Sequence, residues 1–195
     1  MGINRRGAAL GALVLGITTL PAVSASAAAP PTAQSASTAE PTRTTAAAPE
    51  ARRDGGTWYL RAKHSGKCMT VHGASTAKGA AVDQYTCVGA ANQRWKLLYT
   101  SQYGLAYLIN EKSGKCLDVQ GGGKSNGTKI IQWDCNSRKN QIFHARNLTG
   151  YMALKPYHAA SKCLDVPGAS RQNNTRLVLW SCNNRDNQEF KPVPA

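Results

Sequence analysis

The stretch CLDVQGGGKSNGTKIIQWDCNSRKNQIF at residues 116–143 returns as CLDVPGASRQNNTRLVLWSCNNRDNQEF at 163–190, and in diverged form as CMTVHGASTAKGAAVDQYTCVGAANQRW at 68–95. Each copy holds one pair of cysteines: Cys68 and Cys87, Cys116 and Cys135, Cys163 and Cys182. The members of a pair stand 19 positions apart (87−68, 135−116, 182−163), and the pairs recur after 48 (116−68) and then 47 (163−116) positions. A glutamine-led triplet closes each copy: Gln93-Arg94-Trp95, Gln141-Ile142-Phe143 and Gln188-Glu189-Phe190. A fixed period in this range marks one repeated supersecondary unit that cannot bury its apolar face alone. With three copies, a closed three-fold body is favoured over an open solenoid, which needs capping units.

Within a copy the pattern is that of short strands. Thr57 to Leu60, Tyr107 to Ile109 and Tyr151 to Leu154 open the copies. Cys68 to Val71, Cys116 to Val119 and Cys163 to Val166 follow. A β-rich run comes next, at Ala81 to Tyr85, Lys129 to Trp133 and Arg176 to Trp180. Turn residues such as Gly121-Gly122-Gly123, Asn126-Gly127 and Pro167-Gly168 separate them. No stretch sustains a 3.6-residue apolar period. The domain is therefore predicted to be all-β, with four strands per copy. Six cysteines allow fifteen disulfide connectivities. The equal spacing and three-fold recurrence favour pairing inside each copy, each bridge contributing about 3 kcal/mol by chain entropy.

Ahead of the repeats, residues 1–27 read as a signal peptide. Asn4-Arg5-Arg6 is the basic start, Gly7 to Leu20 the apolar run, and Ala25-Ser26-Ala27 the small-residue cleavage signal. The run is too short and too rich in Gly and Ala for a membrane span, so export and an extracellular location are expected, without membrane insertion. Residues 28–56 are Ala, Thr, Ser and Pro with scattered charge, and read as a disordered linker. Residues 57–195 are one domain, with repeats at about 57–100, 101–147 and 148–195. From Thr57 onward 19 Lys and Arg face 7 Asp and Glu, a net +12. The basic residues are loop singletons, such as Lys67, Lys115 and Lys162. No dense basic stripe interleaves with aromatics as a nucleic-acid groove requires, so no nucleic-acid partner is expected.

These residues resemble the ricin B-type (R-type) lectin family, a three-fold β-trefoil, and in particular the bacterial secreted carbohydrate-binding modules that accompany glycoside hydrolases. The resemblance spans about Thr57 to Phe190. It rests on Cys-Leu-Asp-Val, then Trp two residues before the second Cys, then Asn-Gln-x-aromatic, recurring in register. It implies a monomeric, non-enzymatic carbohydrate binder for galactose-type sugars or xylan-like polysaccharide. Family positions map the binding residues to Asp118, Trp133, Asn136, Asn140 and Gln141 in the second repeat. In the third they are Asp165, Trp180, Asn183, Asn187 and Gln188.

The chemistry agrees with these residue types. A surface indole offers an apolar plane to the C–H face of a sugar and an N–H at its edge. A carboxylate accepts charge-assisted hydrogen bonds from adjacent hydroxyls, and an amide both donates and accepts. The resemblance gives the Gln of each closing unit a structural role, and the same Gln can also steady the Asp. The competing readings are core packing for Trp133 and Trp180, and turn capping for Asp118 and Asp165. Gln132 and Ser181, polar neighbours of the two Trp, fit alternation on a half-exposed strand. In the first repeat Thr70 stands where Asp is expected and Tyr85 replaces Trp, with Asn92 and Gln93 retained. That site is expected to be weak or dead. Trp95, Phe143 and Phe190 are expected in the shared core.

Other chemistries fit poorly. Gly121-Gly122-Gly123-Lys124-Ser125 lacks the leading Gly and the following helix of a phosphate-binding loop. No G-x-S-x-G elbow occurs, and no opposed carboxylate pair is evident for glycoside hydrolysis. His64, His72, His144 and His158 show no metal-ligand spacing, and the cysteines lack close C-x2-C knuckles. No cofactor or metal is expected. A polyanion-binding or protease-inhibiting trefoil is the alternative, and a small glycoside hydrolase the third reading.

Overall fold

In the computed structural model of the chain, residues 53–195 are described. The expected signal peptide and most of the expected linker lie outside them. The first repeat runs β1 (Arg53–Ala62), β2 (Cys68–Val71), β3 (Val82–Tyr85) and β4 (Arg94–Tyr99). The second runs β5 (Leu105–Asn110), β6 (Cys116–Val119), β7 (Ile130–Trp133) and β8 (Ile142–His144). The third opens with two short pieces, β9 (Met152–Ala153) and β10 (Lys155–Pro156). It continues through β11 (Lys162–Asp165), β12 (Thr175–Arg176), β13 (Val178–Ser181) and β14 (Glu189–Pro194).

The first and last strands of each repeat close into a ring. β1 pairs with β4, β4 with β5, β5 with β8 and β8 with β10; β9 pairs with β14, and β14 returns to β1. All pairings are antiparallel. Closure removes the free sheet edge that would otherwise invite aggregation. The middle strands form three hairpins, β2–β3, β6–β7 and β11–β13. These hairpins also touch one another, through β12 on β3 and through bridges Ala81–Ile131 and Lys129–Val178. This is the β-trefoil plan expected from the repeats.

The core repeats three-fold as well. Trp95, Phe143 and Phe190 are fully buried, as expected. Met69, Leu117 and Leu164 pack with them from the hairpins, and Val71, Val119 and Val166 follow two residues later. The Trp95 indole N–H donates to the Met69 carbonyl at 3.0 Å, a bond that Phe143 and Phe190 have no donor to make. The disulfides join Cys68 to Cys87, Cys116 to Cys135 and Cys163 to Cys182, each with Cα atoms 5.1 Å apart. Every bridge stays inside its repeat.

Two boundaries differ from the sequence expectation. β1 begins at Arg53, so Arg53 to Gly56 belong to the barrel and not to a linker. Arg53 pairs with Tyr99 and Asp54 with Leu98. Gly55 fits there because a Cβ would lie 2.6 Å from the Tyr99 ring. In the third repeat the opening strand breaks at Leu154, one piece pairing with β14 and the other with β8. Pro156, which has no N–H to give to a ladder, sits in the second piece.

Candidate functional site

In the second repeat the site is built on one hairpin. Cys116 faces Trp133 across β6–β7 and Asp118 faces Ile131. Residues two apart share a face of a strand, so Asp118, Ile131 and Trp133 look the same way. The third repeat copies this, with Cys163 opposite Trp180 and Asp165 opposite Val178. Trp133 is 37% exposed and Trp180 44% exposed, whereas Asp118 and Asp165 are each only 4% exposed. Core packing is thereby excluded for both indoles. Gln132, however, is wholly buried rather than half-exposed. Its amide N–H groups donate to the Ser75 and Ala77 carbonyls and its carbonyl accepts from the Ser113 hydroxyl.

The hairpins of the second and third repeats each border a cavity. The second-repeat cavity, about 580 Å³, is lined by Asp118, Trp133, Asn136 and Asn140 together with Gly79, Arg138, Lys139 and His158. The third-repeat cavity, about 360 Å³, is lined by Asp165, Trp180, Asn183 and Asn187 together with Arg185 and the turn at Pro167 to Ala169. That turn, like its counterparts, bends through left-handed backbone at Gly73, Gly121 and Gly168, with φ of 58°, 64° and 62°. Glycine adopts this conformation without steric cost.

Gln141 and Gln188, expected among the binding residues, are buried behind the carboxylates and line neither cavity. The Gln141 amide donates to Asp118 Oδ2 at 2.8 Å and to the Asp134 carbonyl at 3.0 Å. Its own carbonyl accepts the Asn136 N–H at 2.9 Å. Gln188 does the same for Asp165 Oδ2, the Ser181 carbonyl and the Asn183 N–H. The geometry contains both roles given to these glutamines: each ties backbone groups of its loop together and steadies its aspartate.

Asn140 donates to both Asp118 Oδ2 and the Val119 carbonyl, and Asn187 to both Asp165 Oδ2 and the Val166 carbonyl. Both partners accept only, so both amide hydrogens are committed. Towards the cavity each Asn therefore offers an acceptor oxygen, and not the two-way reading expected of a free amide. Each aspartate likewise has Oδ2 committed and Oδ1 left to accept. Burial raises both carboxyls above their ordinary range, and the Gln and Asn amides partly offset this.

The sequence reading missed the neighbours. Gly79 comes to the second-repeat cavity from the first repeat, and its N–H donates to the Gln132 carbonyl at 2.8 Å. His158 comes from the third, its Nε2 lying 3.0 Å from the Gly123 carbonyl. A carbonyl only accepts, so Nε2 carries the proton. His64 of the first repeat reaches the Ser170 carbonyl at 2.9 Å in the same way. Linear spacing holds no signal for such contacts, because it does not say which repeats abut.

The first repeat keeps the frame but not the chemistry. Tyr85 is 36% exposed, and Gln93 donates to the Thr70 hydroxyl where its counterparts meet a carboxylate. Asn92 donates to the Val71 carbonyl. A carboxylate is present, but on the facing strand: Asp83 pairs across the hairpin with Thr70. It is 1% exposed, with Oδ2 2.6 Å from His72 Nδ1 and Oδ1 buried without a partner. It is thus not presented to solvent. Among the described residues there is no cluster of three or more His, Cys, Asp or Glu that could hold a metal ion, and no helix long and apolar enough to cross a membrane.

The family described as ricin-type beta-trefoil lectin domain-like matches residues 45–133, 98–180 and 139–195. Among solved structures, the designed three-fold symmetric protein ThreeFoil is similar at 36% identity and TM-score 0.68, over 72% of this chain and 99% of that one. An exo-beta-1,3-galactanase from Clostridium thermocellum is similar at 30% identity and TM-score 0.68, over 73% of this chain but only 31% of the galactanase. The Rhizoctonia solani agglutinin shares the fold at 22% identity and TM-score 0.64, over 72% of this chain and 95% of the agglutinin. No curated protein sequence matches the chain.

Proposed function

The chain belongs to the ricin-type β-trefoil lectin family, and we propose that it is a secreted, non-enzymatic module that holds saccharides in the pockets of its second and third repeats. The observation that carries this reading is the pairing, twice over, of an exposed indole with a recessed carboxylate in one cavity. The indole plane takes the apolar C–H face of a sugar ring. The free oxygens of Asp118 and Asn140, or of Asp165 and Asn187, accept from its hydroxyls, and the carboxylate bonds are the stronger for being charge-assisted.

Two committed N–H donors fix each carboxylate before any ligand arrives, which limits the ordering cost of binding. Galactose-type sugars or xylan-like polysaccharide are the ligands. The galactanase supports the former, although its hydrolytic activity does not transfer, because this chain spans under a third of that protein. The three disulfides support an oxidising, extracellular setting. Two pockets on one rigid body add avidity where their spacing suits the polymer. The first repeat serves as scaffold.

Retention on immobilised galactose or xylan tests this. Asp118→Ala and Asp165→Ala each lower retention, and the double variant abolishes it. Full retention of a correctly folded double variant would remove the role given to these aspartates.

A further inference from the structure

The two pockets share their grip on a sugar but differ in charge around it. The loop hydrogen bonds establish which residues correspond. Gly79 N–H donates to the Gln132 carbonyl, and Gly127 N–H donates to the Leu179 carbonyl at the same place in the next repeat. Lys78 in front of the second-repeat pocket therefore corresponds to Asn126 in front of the third. After the second cysteines, Arg138 corresponds to Arg185 and Lys139 to Asp186. The second-repeat pocket thus carries two cations where the third has a neutral amide and an acid.

Lys139 and Arg138 line the cavity, and neither forms an ion pair among the described residues; the Lys139 ammonium rests 5.5 Å from the centre of the Tyr157 ring, from which it can swing to an anionic group in the cavity. Lys78 Nζ lies 5.6 Å from the centre of the Trp133 ring, and its carboxylate neighbour, Asp134, is 3.8 Å away and already held by Lys115 at 2.7 Å. In the third repeat Asp186 is instead neutralised by Lys63 at 3.0 Å. The second cavity is also the larger, about 580 against 360 Å³, and so has room for a substituent beyond the ring.

We propose that the second-repeat pocket takes an acidic saccharide, its anionic substituent held by Lys139 and Arg138 with Lys78 alongside, while the third-repeat pocket takes the neutral sugar. This rests on the saccharide-binding reading above. The substituent is a carboxylate, as in a uronic acid residue, or a sulfate ester, since either accepts charge-assisted bonds from ammonium and guanidinium groups. Ion pairs at such partly exposed positions are individually weak, so two or three together give about a three- to tenfold preference at low salt.

The test uses full-length single-pocket chains, Asp165→Ala for the second-repeat pocket and Asp118→Ala for the third, titrated with galactose, galacturonate and galactose 6-sulfate. The second-repeat pocket is expected to bind at least one acidic sugar more tightly than galactose, the two acids distinguishing carboxylate from sulfate. The preference shrinks in high salt and on Lys139→Asp. The third-repeat pocket is expected to favour galactose, and Asp186→Lys should shift it toward the acidic sugar, a gain that misfolding cannot mimic. Galactose binding in the second-repeat pocket as well as or better than both acids would overturn the inference and leave the sugar-binding reading standing. Failure of every sugar in both folded chains would overturn both.

Discussion

Gln141→Ala isolates the part of the site that the structure assigns to support rather than contact. The wild-type amide is wholly buried and makes three hydrogen bonds: to the Asp118 carboxylate, to the Asp134 carbonyl and from the Asn136 N–H. A bond to a charged group contributes about 1.5–3 kcal/mol and each neutral one roughly 1 kcal/mol. The loss is therefore about 3–5 kcal/mol. The first repeat supplies the control. Gln93 is equally buried and bonds the Thr86 carbonyl and Val88 N–H in the same way, but meets the neutral Thr70 hydroxyl. Gln93→Ala should accordingly cost about 1 kcal/mol less. Urea unfolding with the disulfides intact measures both, read as a midpoint shift at unchanged slope. Binding adds a second readout. Without the Gln141 N–H the Asp118 carboxyl rises further, so in the Asp165→Ala background ligand is lost at a higher pH than with Gln141 present. Equal or greater destabilisation by Gln93→Ala, or unaltered binding by the Gln141→Ala pocket, would refute the reasoning.

Acidification should separate binding from stability. Burial raises Asp118 and Asp165, so sugar binding declines as pH falls through their elevated titration, above the range of an ordinary aspartate. For folding the sign is opposite. A native pKa above the unfolded one means that the folded chain takes up more protons in that window, so these two groups favour the fold as pH falls. Stability is lost only lower down, where Asp54, Glu111 and Asp134, held below their ordinary values chiefly by Lys96, Arg94 and Lys115, are protonated. Titration calorimetry beside thermal unfolding over the same pH series checks this; parallel loss of both would contradict it. His158→Ala should weaken the second-repeat pocket a few-fold and spare the third, because it frees the Gly123 carbonyl in the turn beside that cavity alone. His158→Gln, which keeps an N–H donor, should recover part of the loss in single-pocket titrations.

Much of the fold was legible because one unit is written three times. The cysteine spacing identified the hairpins and their bridges, and the closing triplets placed Trp95, Phe143 and Phe190 in the core. The indoles and aspartates of the two pockets were legible for the same reason, since period-two geometry puts Asp118 and Trp133 on one face. What escaped notice depends on contacts between copies or on depth. His158 and Gly79 reach the second-repeat pocket from other repeats, and nothing in the linear spacing says which copies abut. Gln141 has the composition of a contact residue and differs from one only in burial. Asp83 was hidden because its carboxylate stands on the facing hairpin strand, out of register with Asp118 and Asp165. Arg53 to Gly56 read as linker because they carry no apolar side chain to bury, although Gly55 is what lets Tyr99 pack against β1.

Crystals soaked in galactose test most directly whether an indole and its recessed carboxylate act together as a sugar site. The account predicts rings lying on Trp133 and Trp180, with hydroxyls bonded to Asp118 Oδ1 and Asp165 Oδ1, and none on Tyr85. Full occupancy at Tyr85, or sugar bound away from both aspartates, would contradict it.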